Sequence, residues 1–250
     1  MFTQSSLLQD LRNLGVKPGD HLMVHSSLRA VGTVQNGADA VIDALMQAVS
    51  MGMLILPTHT WREWNNADGI FDPATEPSCV GALTELFRKR ADVQRSWHPT
   101  HSVSAWGQGA TDYVAGEEHT TTPCPRNGCW GRLYDIDAKI LFLGAPVRAN
   151  TYLHSVEEWH EIPNRLAAEA TVFQIRTPDG KLLPCHQYRH LSTLGDVSQH
   201  YGKIESDLIA AGIASEGQVG NARSVILSAR GLANWIAPKL TAQPDFFDRP

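Results

Sequence analysis

Residues Leu141 to Trp159 read LFLGAPVRANTYLHSVEEW, and the fold turns on this stretch. It continues a short apolar run, Ile140 to Leu143, with the length and character of a buried strand. Gly144-Ala145-Pro146 makes a turn, and Arg148-Ala149-Asn150-Thr151 a polar corner. A segment of helical spacing follows and carries His154, Glu157 and Glu158. A buried strand that ends in a glycine turn and feeds a helix is where α/β folds place their chemistry. The expectation is an α/β protein with its site beside His154.

Upstream, Leu7, Leu8, Leu11 and Leu14 form a helical stripe after Ser5-Ser6, and Gly15 ends it. His21 to His25 reads as a buried strand, followed by Ser26-Ser27-Leu28-Arg29-Ala30-Val31-Gly32. Small hydroxyl residues there either leave backbone N–H groups free for an anion or amide, or cap the next helix. Ala38 to Val49 is amphipathic, with Val41, Ile42, Leu45 and Met46 on one face. Met53 to Leu56 predicts a second buried strand. Pro57-Thr58-His59-Thr60-Trp61 then opens a loop running to about Pro77, a length common in pocket walls. Val80 to Arg90 predicts a helix whose basic end suits its C-terminus. Val103 and Ala105 read as one face of a short strand, while residues 111–130 read as irregular loop.

Downstream, Pro163 ends the helix that holds His154, and Thr171 to Arg176 alternates like a strand. Pro178-Asp179-Gly180-Lys181 is a hairpin turn leading to Leu182-Leu183. His186, His190 and Asp196 follow in a polar segment. Ile204 to Ala211 is helical, Gly217 to Ala222 a tight turn, Ser224 to Leu227 a last strand, and Leu232 to Leu240 a final helix. No repeat or linker interrupts residues 1–250, so a single domain is expected.

The chain of 250 residues is 42% hydrophobic, enough for one large α/β core. Its net charge of −5 and scattered basic residues argue against nucleic acid as partner. The start, MFTQSSLLQDLRNLGV, lacks the basic and apolar regions of a signal peptide, and no apolar run approaches a bilayer span. A cytoplasmic protein is expected. The four cysteines include no CxxC pair and read as reduced thiols.

Eleven histidines raise the question of a metal. His98 and His101 sit in HPTH, where the proline forbids the helical zinc pair. His154 and Glu157 form one His-x-x-Glu pair, whereas di-metal bundles need two copies and further carboxylates. No metal is expected. A G-x-S-x-G elbow, a GxxxxGK[ST] loop and a GxGxxG fingerprint are all absent from the sequence. Cys79, at a helix start, reads as a reactive thiol or, more commonly, a small buried hydrophobe. His154 with Glu157 is either a solvated surface pair or a base with its orienting carboxylate. Their position just after a strand, a turn and a polar corner favours the second. Thr151, one turn earlier, could donate its hydroxyl to a developing oxyanion.

Six pieces in register resemble the antibiotic N-acetyltransferase family, typified by aminoglycoside 3-N-acetyltransferases. They are LGVKPGDHLMVHSSLRAVG (14–32), LILPTHTW (54–61), FDPATEPSCVGALTELFRKR (71–90), RSWHPTHSVSAWG (95–107), LFLGAPVRANTYLHSVEE (141–158) and GQVGNAR (217–223). The resemblance implies a central mixed β-sheet flanked by helices, distinct from the GNAT fold. It implies acetyl-coenzyme A as cosubstrate, and direct transfer of acetyl to the 3-amino group of an aminoglycoside. His25, Ser26, Ser27, Leu28, Arg29, Ala30, Val31 and Gly32, with Ser102, Val103 and Ser104, look like the coenzyme-binding loops. Asn150, Thr151, His154 and Glu157 match the family's acceptor segment, with His154 as the catalytic histidine.

Asp72 and Glu158 are added as acceptor contacts because carboxylates suit a polycation; Asp68, Glu76 and Glu161 would extend that negative field. Two stretches depart from the family pattern: the polar, then bulky run Ser155 to His160, and residues 184–200. They leave open an acetyltransferase for another amine. A non-catalytic acyl-CoA-binding protein on the same scaffold is the other alternative. Nucleic acid and membrane are not expected as partners, and the expected state is a monomer or homodimer.

Overall fold

The structure, a computed structural model, describes residues 1–61 and 69–249. Its first half runs α1 (Gln4–Asn13), β1 (His21–Ser26), α2 (Leu28–Val31), α3 (Gly37–Ala48), β2 (Met53–Pro57), β3 (Ile70–Phe71), α4 (Ala82–Phe87), β4 (Gln94–Arg95), β5 (Val103–Gly107) and α5 (Ala110–Val114). The second half runs α6 (Cys129–Asp135), β6 (Lys139–Leu143), α7 (Thr151–Trp159), β7 (Thr171–Arg176), β8 (Leu182–Gln187), α8 (Glu205–Ala210), β9 (Ala214–Val219), β10 (Ala222–Ser228) and α9 (Ala229–Ala242).

A seven-stranded sheet in the order β4-β5-β2-β1-β6-β10-β9 forms the centre. β1, β2 and β6 are parallel, whereas β5 and β10 add antiparallel on either side. The expected mixed sheet flanked by helices is therefore present. Alternate residues of the parallel strands face opposite cores. Met23, Ile55, Ile140 and Phe142 pack on one side with α5, α6, α7 and α9. Leu22, Val24, Leu54, Leu56, Leu141 and Leu143 pack on the other with α1, α3 and α4. Burial on both faces explains why these strands read as continuous apolar runs.

β1 lies between β2 and β6, so the chain leaves it toward opposite sides. Such a switch in strand order opens a crevice at the carboxyl ends of the strands, and a large cavity lies there. A second, three-stranded sheet, β3-β7-β8, packs around Phe71, Phe173, Ile175 and Cys185.

Several expectations need correction. Residues 111–130 hold most of α5, a 3₁₀ turn at Glu117–His119 and the start of α6. Tyr113 is buried among core side chains there, so tertiary packing orders a segment whose composition reads as loop. The strand beginning at Leu182 runs on to Gln187 through Pro184. It tolerates the proline because β8 is an edge strand. The predicted tight turn at 217–222 narrows to Gly220-Asn221, since β9 and β10 occupy its flanks. Part of the long loop after Trp61, with Asp68, lies outside the described residues. Among the described residues no helix is long and apolar enough to cross a membrane.

Candidate active site

The crevice is a cavity of about 620 Å³. His25 and Ser26 from the end of β1, Pro57 and His59 from the end of β2, and Ala145 after β6 line its floor. Asn150, Thr151 and His154 of α7 form one wall; His190 and Asp196 of the segment after β8 form another.

α7 places His154 and Glu157 one turn apart, as the spacing predicts. Their side chains meet through a third residue. The Tyr201 hydroxyl is 2.7 Å from His154 Nδ1 and donates to Glu157 Oε2. Arg165 Nε donates to Glu157 Oε1 at 2.8 Å, and Arg165 Nη2 reaches Asp248 at 2.7 Å. Glu157 is fully buried, and burial pushes its carboxyl up while Arg165 and Tyr201 pull it back. The guanidinium is always charged, so Glu157 is satisfied as a carboxylate that only accepts. Tyr201 has a single proton, which goes to Glu157; its oxygen then accepts from His154 Nδ1–H. That tautomer leaves the lone pair on Nε2, which no described protein group bonds.

Burial is the first cause holding the His154 imidazole well below its usual range; His190 and Arg165 act in the same direction, and Asp196 opposes them. The rings continue from His154 to His190 at 4.4 Å, to His101 at 5.0 Å and to His59 at 4.8 Å. Burial also lowers His25 and His98 to about 4 and His190 to about 3. His59 Nε2 is 3.4 Å from the hydroxyl of Thr151, which faces the same cavity.

The other predicted residues separate. Asn150 is fully buried and lines the cavity, and neither polar atom of its amide has a partner among the described residues. Leu28, Arg29 and Gly32 instead border a second hollow of about 440 Å³, and Val31 lies in the core. Ala30 stands against Gly144, and the Ser27 N–H donates to the Leu143 carbonyl at 2.8 Å. Ser102, Val103 and Ser104 do not line the cavity. All three are fully buried in or beside β5; Ser102 Oγ donates to the Thr58 carbonyl at 2.7 Å, and Ser104 Oγ to Thr58 Oγ1 at 3.3 Å. Their hydroxyls thus hold the loop at Thr58 from beneath.

The expected field of carboxylates is also absent from the described lining. Asp72 lies with the small sheet, 3.8 Å from Arg176, and Glu158 stands behind the lining residue His190 rather than among the described lining residues. Glu158 accepts from Thr122 Oγ1 at 2.6 Å, the Cys124 N–H at 2.9 Å and His190 Nε2 at 2.8 Å. Asp196 is the carboxylate among the described lining residues, beside Arg148, Arg165 and Arg189. Potential metal-ligand atoms of Cys124, Glu158 and His190 lie within 4.8 Å of one another, with His190 Nε2 and Glu158 Oε1 hydrogen-bonded to each other.

Sequence reasoning missed Tyr201 and Arg165, because neither stands at a recognisable spacing from His154. The one available signal was Glu157, a carboxylate on a half-apolar helix that burial obliges to find partners.

The chain's likeness to known proteins extends over its whole length. The family described as aminoglycoside 3-N-acetyltransferase matches residues 23–241. Aminoglycoside N(3)-acetyltransferase IV of Salmonella sp is 28% identical over 251 residues, 99% of this chain and 90% of the relative. Aminoglycoside N(3)-acetyltransferase III of Serratia marcescens is 33% identical over 185 residues, 66% of this chain and 67% of the relative. A solved structure of AAC-IIIb, binary with CoASH, has a TM-score of 0.84 at 25% identity, covering 96% of this chain and 97% of that one. A variant of aminoglycoside acetyltransferase AAC(3)-IVa in complex with a gentamicin has a TM-score of 0.85 at 28% identity, covering 100% and 92%. With the site laid out on the crevice of a mixed sheet and the match running from Met23 to Thr241, the chain belongs to the aminoglycoside 3-N-acetyltransferase family of acyltransferases.

Proposed function

We propose that the protein transfers acetyl from acetyl-coenzyme A directly to the 3-amino group of an aminoglycoside, with His154 as general base. The observation that carries this reading is the chain Arg165–Glu157–Tyr201–His154, which holds Nδ1 and leaves Nε2 free on the wall of a large cavity. AAC-IIIb with CoASH and AAC(3)-IVa with a gentamicin, both alike in fold, support the two ligand classes.

The lining fits the coenzyme: Arg148 and Arg189 offer cations for phosphates, and Pro57, Val80 and Ala145 an apolar wall for its arm. When bound, it supplies an activated thioester carbonyl. An amine attacking that carbonyl becomes far more acidic as the N–C bond forms, so even a weakly basic imidazole can take its proton. His154 Nε2 accepts the proton, and as the C–S bond breaks the same nitrogen can return it to the departing coenzyme A thiolate. Tyr201 and Glu157 hold the opposite nitrogen and face the imidazolium that results. Thr151, at the N-terminus of α7, offers its hydroxyl to the developing oxyanion.

A second reading, an acceptor other than an aminoglycoside, has its own support. With Arg165 paired to Glu157 and Asp248, and Arg148 and Arg189 turned to the coenzyme, the described lining offers a polycation one carboxylate, Asp196. A panel of kanamycin-, gentamicin- and apramycin-type acceptors beside simple amines, assayed by thiol release from acetyl-CoA, separates the two. Turnover confined to aminoglycosides supports the first reading. Turnover confined to simple amines supports the second, and thiol release with none of them leaves only acyl-CoA binding.

A further inference from the structure

We propose that His190 is a positioning residue for His154, held in place by Glu158 and packed ring against ring with the imidazole in the cavity lining. The proposal rests on His154 being the base.

Two adjacent carboxylates set the arrangement. Consecutive helical residues point about 100° apart, so Glu157 and Glu158 serve different sides of α7. Glu157 reaches Tyr201, whose ring lies 4.9 Å from that of His154 at 67°. Glu158 reaches His190, whose ring lies 4.4 Å from that of His154 at 30°. The doublet therefore supports both neighbours of the imidazole.

His190 is fixed at both ends. Its backbone pairs in an antiparallel bridge with Leu166, flanked by hydrogen bonds from the Ala167 N–H to the Arg189 carbonyl at 2.9 Å and from the Leu191 N–H to the Arg165 carbonyl at 3.0 Å. Its Nε2 donates to Glu158, which two further donors, Thr122 and Cys124, hold still. His101 stands edge-on to its other side at 5.0 Å. A side chain so constrained keeps water off one face of His154, and that desolvation favours the neutral base.

The charged and titratable groups facing His154 come from several elements. Glu157 lies on its own helix, Tyr201 on the 3₁₀ segment Val197–Ile204, Arg165 after α7, His190 and Asp196 after β8, His59 after β2 and His101 before β5. Asp196 favours the imidazolium, while Arg165 and His190 disfavour it. Removing the His190 ring admits water and lets the imidazolium form more easily.

The test is a heteronuclear NMR titration of the His154 ring in the wild-type protein, His190→Ala and His190→Phe, with kcat and KM measured on each. In His190→Ala the titration is expected to rise by about one pH unit. Its kcat is expected to fall about tenfold because the unheld imidazole leaves its productive orientation, with KM for acetyl-CoA unchanged. His190→Phe keeps a ring over His154 and should titrate as the wild type does. An unmoved titration in His190→Ala, or an equal rise in both variants, overturns the proposal. The titration is read without turnover, so it fails or holds independently of whether His154→Ala abolishes acetyl transfer.

Discussion

Tyr201 joins a helix and a 3₁₀ segment 47 residues apart through one hydroxyl, which meets both His154 and Glu157. Removing it leaves Nδ1 without a partner and one oxygen of a buried carboxylate unsatisfied. For Tyr201→Phe we expect kcat to fall about ten- to a hundredfold, with KM for acetyl-CoA unchanged. The same change should cost about 1–3 kcal/mol of stability. Equal kcat in the two proteins, at equal folding, would remove the phenol from the chain of proton-holding groups. At this scale the sequence was legible where spacing is local: His154 and Glu157 share a helix face by periodicity alone. Tyr201, Arg165 and His190 were not, because partners brought together by tertiary folding leave no pattern in a single sequence. Asp72 shows the converse. Its charge suited an acceptor site, but the chain carries it to Arg176 on the small sheet.

Among the elements, the three parallel strands were read to within a residue or two, because burial on both faces makes each an unbroken apolar run between turn signals. α5 and the start of α6 were missed because their segment is rich in Thr, Pro and Gly, and the side chains that order it, such as Tyr113 and Trp130, act through the core. The join between β6 and α7 depends on Gly144, whose φ of 64° lies in the left-handed region; a Cβ there would stand 2.5 Å from Ala30 Cβ. For Gly144→Ala, strain and overpacking together predict a loss of about 2–4 kcal/mol. Thermal denaturation checks this: a Tm within a degree of the wild type would show that the turn tolerates a side chain. A displaced α7 should also lower kcat, since the helix carries Thr151, His154 and Glu157.

At the scale of the molecule, histidines gathered around the cavity predict how stability varies with pH. His25, His59, His98, His101, His154 and His190 are all lowered, chiefly by burial. Below about pH 6.5 the unfolded chain binds protons that these six refuse when folded, so stability falls as pH drops. Glu117 and Glu158, pushed up to about 7 by burial, act oppositely, as does Glu157. Their contribution is fully present below the ordinary value of about 4.5 and is lost as pH rises through the folded one. The lowered histidines outnumber the raised carboxylates, so stability is expected to fall as pH drops below about 6.5. Denaturant melts at pH 7, 6 and 5 measure it, and equal midpoints at all three would contradict the buried neutral histidines.

The reaction is also a property of the whole molecule, since floor, walls and base come from β1, β2, β6, α7 and the segment after β8. Whether His154 is the base is decided by single-turnover acetyl transfer in His154→Ala, with coenzyme A binding measured on the same sample. A loss of about a hundred- to ten-thousandfold in transfer rate, with coenzyme A bound as tightly as by the wild type, is the predicted result. Transfer at close to the wild-type rate would contradict it and take His154 out of the chemistry.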